Sequence, residues 1–137
     1  MQTFEFREMV KVVGISETKA KNWIVGRPFK IEASVHTATG QGSRNLYSLD
    51  DVYLMAVANE LSRSGMAAKA IGDLVGTIKT RFPKGLGQVD SVTLWRNPKH
   101  EYKFVGNGDR PLTAGVVSMT IDIGRLRNRI TERMKDL

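Results

Sequence analysis

Near the start of the chain, Gly14-Ile15-Ser16 separates two short helical patterns, and this break constrains the fold more than any other feature. Before it, Phe6, Met9, Val10 and Val13 recur at the i, i+3, i+4, i+7 spacing of one helix face. Gly14 ends that helix, as a residue tolerant of left-handed backbone at a helix C-terminus. Ser16 then offers an N-cap, with the acidic Glu17 well placed in the first turn that follows. The second helix, roughly residues 17–24, turns Ala20, Trp23 and Ile24 inward and leaves Thr18, Lys19, Lys21 and Asn22 mainly outside. Two short helices joined by a three-residue turn containing glycine are the sequence form of a helix-turn-helix. Gly26 and Pro28 end the unit.

From Phe29 to Tyr47 the pattern turns extended. Residues 30–36 alternate weakly, Thr39-Gly40-Gln41-Gly42-Ser43 supplies a glycine-rich tip, and Arg44-Asn45-Leu46-Tyr47 returns as a second strand. A hairpin directly after a second helix of this kind is a wing. Ser48-Leu49-Asp50-Asp51 is a close relative of the capping box. The helix it opens carries Leu54, Val57, Ala58 and Leu61 on one face and ends at Ser64-Gly65. Ala70, Ile71, Leu74, Val75 and Ile78 stripe a further helix to about Thr80. Residues 81–87, Arg-Phe-Pro-Lys-Gly-Leu-Gly, form a breaker-rich junction. Strands are expected at 89–95 and 101–105 around an Asn97-Pro98 turn, then a polar loop at 106–111 and a third strand through Val117, Met119, Ile121 and Ile123. Leu126, Ile130, Met134 and Leu137 follow helical spacing to the last residue. The expected class is therefore α+β. A winged helix-turn-helix domain spans 1–80 and a linker 81–88; residues 89–137 form a small antiparallel β segment with a C-terminal amphipathic helix.

The chain has 137 residues and a net charge of +7, carried unevenly. Residues 1–48 hold +3, residues 49–80 hold −1 and residues 81–137 hold +5. Such a balance favours a polyanionic partner through phosphate neutralisation and counterion release. There is no cysteine, which excludes disulfides, thiolate metal sites and cysteine nucleophiles. No apolar run approaches the length of about 20 residues that spans a membrane. The first residues show no apolar core of a secretion signal, so a cytoplasmic chain without a membrane partner is expected. His36 and His100 lie far apart without carboxylate companions at ligand spacing, so no metal is expected. Gly40-Gln41-Gly42 and Gly85-Leu86-Gly87 lack the Gly-Lys-Ser/Thr or strand–helix context of a phosphate-cradling loop. Ser16, Ser48 and Asp50-Asp51 are better explained as helix caps than as a nucleophile or an acid pair. Neither a cofactor nor an enzymatic activity is expected.

Two stretches together resemble the mercury-resistance regulator (MerR) family of winged-helix transcription factors. One is Gly14-Ile15-Ser16 followed by Lys21-Asn22-Trp23, similar to the family's turn, recognition-helix cation and helix-closing aromatic. The other is Arg44-Asn45-Leu46-Tyr47-Ser48-Leu49-Asp50-Asp51 with Leu54, Leu61, Gly65-Met66 and Ile71, similar to its wing-closing element, capped helix and following turn. The likeness covers roughly residues 5–78. It departs where the family's sensors continue into one long dimerisation helix with a cysteine or ligand pocket. Here Phe82-Pro83 interrupts the helix, cysteines are absent and strands intervene, so sensing of that kind is not carried over. Excisionase-like architectural proteins share the same winged core.

The resemblance implies a sequence-specific regulator of transcription on double-stranded DNA. The alternatives are an architectural binder that senses nothing, and a protein-interaction adaptor. A recognition helix must offer short or forked polar groups to base edges and cations to phosphates. Ser16, Thr18, Lys19, Lys21 and Asn22 are the candidates on the second helix, Lys21 at the position where the related proteins carry a cation. Asn22 either pairs with adenine or is an ordinary solvated residue. Arg27, Lys30 and Arg44 flank the wing, and Tyr47 is expected to pack its ring and leave its hydroxyl for a phosphate. Leu126, Ile130, Met134 and Leu137 form a seam that needs burial, in a homodimer interface or docked on the strands. A homodimer depending on the residues after Pro111 is expected, with residues 1–111 folding without them.

Overall fold

Four of the five described helices begin at a side-chain cap, the exception being the one with Ala67 at its N-cap. The computed structural model describes residues 2–31, 45–96, 99, 101–106 and 118–137. Strand β1 is Thr3–Phe4 and helix α1 is Phe6–Val13. The Glu5 N–H donates to Glu8 Oε1 at 3.0 Å at the start of α1. Gly14 closes the helix at φ 76°, its N–H donating to the Val10 carbonyl. Helix α2 is Glu17–Val25; Ser16 Oγ accepts from the Lys19 N–H at 3.2 Å, and Gly26 ends it at φ 91°.

Strand β2, Tyr47–Ser48, pairs antiparallel with β1, Phe4 opposite Tyr47. The sequence pattern gave no sign of β1, because two residues are too short for any alternation to show. Helix α3, Leu49–Arg63, opens on a full capping box: Asp51 N–H donates to Ser48 Oγ at 3.1 Å and Ser48 N–H to Asp51 Oδ2 at 2.9 Å. Its burial is broader than the single apolar face expected. Residues 51–59 and Leu61 are all buried, because α1, α4 and α5 pack around it. Helix α4, Ala68–Arg81, faces α3 with Ile71, Leu74, Val75 and Ile78.

Strands β3 (Ser91–Arg96), β4 (Tyr102–Gly106) and β5 (Ser118–Asp122) form an antiparallel sheet in the order β4-β3-β5. Thr93 stands opposite Thr120, and their hydroxyls lie 3.0 Å apart. Helix α5, Ile123–Met134, is capped by the Asp122 carboxylate, which accepts from the Arg125 N–H at 2.8 Å. The described residues thus hold five helices and two small antiparallel sheets, an α+β chain. No described helix is long and apolar enough to cross a membrane.

The core runs across the division expected from the sequence. Ile123, Leu126 and Ile130 of α5 belong to the same buried cluster as Met9 and Val12 of α1 and Met55 and Ala58 of α3. The junction at 81–88 joins that packing, with Leu86 2% exposed and Val89 buried just after it. It is held from α5: Arg127 Nη1 donates to the Leu86 carbonyl at 3.0 Å and also to the Val89 carbonyl. Breaker residues turn the chain at this point without loosening it. The wing expected at 30–47 falls mostly outside the described residues, as do Arg44, Asn97-Pro98 and the polar loop from residue 107.

Candidate nucleic-acid interface

Ala20 and Trp23 anchor α2. Ala20 is fully buried, and the Trp23 ring packs 4.9 Å from that of Phe29, tilted by 33°. The Ile31 N–H donates to the Trp23 carbonyl at 2.9 Å, which ties the chain leaving α2 back onto it. Phe29 in turn fits against α4 at Gly72, where any side chain would come within 2.6 Å of the Phe29 Cβ.

The sequence-derived candidates divide on this framework. Ser16, Thr18, Lys21, Asn22 and Arg27 are exposed, and Lys30 is exposed while holding a partner. Lys21 Nζ lies 6.0 Å from the centre of the Phe6 ring, at the outer limit of a cation–π contact. Lys19 departs from the outward role expected of it. Its ammonium donates to Asn59 Oδ1 at 3.3 Å and sits 5.3 Å above the Trp23 ring. Asn59 is buried within α3, and a buried carboxamide needs a partner. Lys19 meets that need and is turned toward the protein by it.

Tyr47 also differs from expectation. It is fully buried in β2, and Asn45 Nδ2 donates to its hydroxyl at 3.3 Å. Burial pushes the phenol above its ordinary value, against the Asn45 hydrogen bond and with the Asp51 charge adding to the rise. The hydroxyl expected to be free for a phosphate is thus enclosed. Arg44 lies outside the described residues.

The C-terminal seam is spent inside the chain. Leu126 and Ile130 are 4% and 1% exposed, Met134 is half-buried against the same cluster, and Leu137 is exposed. A direct dimer contact through Leu126 and Ile130 is therefore closed, because α5 packs on the chain's own α1 and α3 and, as one of the two expected arrangements had it, on a strand, β3.

Arginines of α5 brace it against α1 and α3. Arg133 Nη1 donates to the carbonyls of Val12 at 3.1 Å and Val13 at 2.8 Å. These are the last carbonyls of α1, the negative end of its dipole, and they lack partners within the helix. The approach is close: a first side-chain carbon at Gly14 would lie 2.7 Å from Arg133 Nη1. Lys11 Nζ adds a bond to the Asp136 carbonyl at 2.9 Å. Arg129 Nη1 meets Glu60 Oε1 on α3 at 2.9 Å. No sequence signal could have found Arg133, since its partners lie about 120 residues away. Asn59 was legible as a lone amide in an otherwise apolar stretch of α3.

No protein-family model matches this chain, and no curated protein matches it.

Proposed function

We propose that this chain binds double-stranded DNA through α2, as a winged helix-turn-helix regulator of transcription. The observation that carries the reading is the outward face of α2, where Thr18, Lys21 and Asn22 stand exposed on a helix anchored from behind by Ala20 and Trp23. An amide and a hydroxyl beside a cation are what base edges and phosphates require. The net charge of +7 supports a polyanionic partner. Arg27 and Lys30, next to the expected wing, extend the basic surface toward the backbone of the duplex.

A single small module gains specificity by pairing half-sites, so a homodimer on an inverted repeat accompanies this reading. Its interface would use a surface other than Leu126 and Ile130. The burial of those two residues in the chain's own core favours a second reading, a monomeric architectural binder that shapes DNA without sensing an effector.

Footprinting on duplexes recovered from genomic DNA separates the two. Protection of two half-sites about one helical turn apart supports the regulator. One continuous short footprint from a monomer supports the architectural binder. No protection at low salt removes both.

A further inference from the structure

The anchoring of α2 fixes which side chains it shows. Lys19 is drawn to Asn59, Trp23 is packed on Phe29, and Ala20 is enclosed, so the helix has one rotational setting. Side chains step about 100° per residue around a helix. The direction opposite Ala20 and Trp23 therefore belongs to Thr18 and Val25, seven residues apart, with Lys21 and Asn22 beside them. Val25 is 61% exposed. Among the described residues the other large apolar side chain so exposed is Leu137. A scattered surface valine needs no explanation. This one lies in register with the hydroxyl, cation and amide of the same face, at its outermost line.

The apolar group that duplex DNA presents in its major groove is the thymine 5-methyl, and small apolar side chains read it by contact. Asn22 and Val25 are three residues apart, about 4.5 Å along the helix axis. That separation is between one and two base-pair steps of about 3.4 Å. We infer that Val25 packs on a thymine methyl while Asn22 takes a neighbouring adenine, so that α2 selects an A·T-containing step in the major groove. The inference rests on the proposal that α2 faces DNA. Lys21, which flanks the pair on the same face, supplies the phosphate attraction that holds them there.

The test uses the full-length protein and duplexes it selects from a randomised pool. Each selected duplex is remade with uracil in place of thymine, which removes the methyl and keeps the pairing. The wild-type protein is expected to bind the uracil duplex more weakly, about fourfold for each methyl contacted. Val25→Ser, a change at an exposed position, should bind both duplexes alike, near the strength of wild type on uracil. If wild type binds thymine and uracil duplexes equally while Lys21→Ala weakens both, the DNA-facing role stands and the Val25 contact is wrong. If Val25→Ser keeps the full thymine preference, another residue reads the methyl and the inference fails. Failure to select any duplex overturns the DNA-facing reading and this inference with it.

Discussion

Lys19 and Lys21 are two residues apart on one short helix, yet they do different work. Lys19 supplies the partner of a buried amide, whereas Lys21 is exposed. Lys19→Ala leaves Asn59 Oδ1 without its donor, and an unsatisfied buried acceptor costs about 1–3 kcal/mol. The variant should lose that much stability in urea unfolding. Lys21→Ala should unfold at the wild-type midpoint and bind duplex more weakly. A Lys19→Ala protein as stable as wild type would mean that the Asn59 contact carries no weight. The pattern of charged and apolar positions cannot separate two such lysines, because the deciding partner lies on another helix. Asp50 makes a second residue-scale case. Asp50 is exposed as a residue, but partial desolvation raises its carboxyl above the ordinary value, the nearby Asp51 charge raises it further, and a hydrogen bond from the Leu86 backbone partly opposes them. The folded chain therefore keeps this proton at a pH where the unfolded chain has released it. Its contribution favours the fold below the ordinary carboxylate value and is lost as pH rises through the raised one. Asp50→Asn should gain stability relative to wild type between pH 4 and pH 7, measured by urea unfolding at each pH. A relative loss over that range would reverse the assignment.

At the scale of elements, the boundaries of α1, α2 and α3 were legible because caps and glycines are local signals: Gly14, Ser16, Gly26 and the Ser48–Asp51 box. The partnership of β1 with β2 and the central place of β3 were not, since pairing is decided by what is adjacent in space. The same limit hid the work of α5. Arg133 serves as the C-terminal cap of α1, a role that no local pattern around it marks. Arg133→Ala removes charge-assisted bonds to two backbone carbonyls, each such bond worth about 1.5–3 kcal/mol. Both bonds share one Nη1 at a half-buried site, so stability should fall by about 1.5–3 kcal/mol in all, measured by urea unfolding. Arg129→Ala should cost about 1 kcal/mol or less, because its pair with Glu60 is partly open to solvent. Equal losses for the two variants would show that capping is not what Arg133 contributes.

For the whole molecule, composition and periodicity suggested two units joined at 81–88, and the structure has one buried cluster extending through both. The sequence could not reveal this, because the seam of α5 reads the same whether a second copy or the chain's own α1 and α3 cover it. The consequence is mechanical. Deleting residues 112–137 strips Leu126, Ile130 and the Arg133 cap from the helix pair, and the remainder should lose its cooperative unfolding transition. Leu126→Ala, which opens a cavity in that core, should cost about 2–5 kcal/mol. The face of α2 carries the DNA-binding proposal, and it can be tested directly. The direct test is equilibrium binding of the full-length wild type and Lys21→Ala to one selected duplex across a salt series. Wild-type affinity should fall linearly in log K against log salt, with a slope shallower by about one for Lys21→Ala. Absence of duplex binding at low salt, or identical curves for the two proteins, would contradict the proposal.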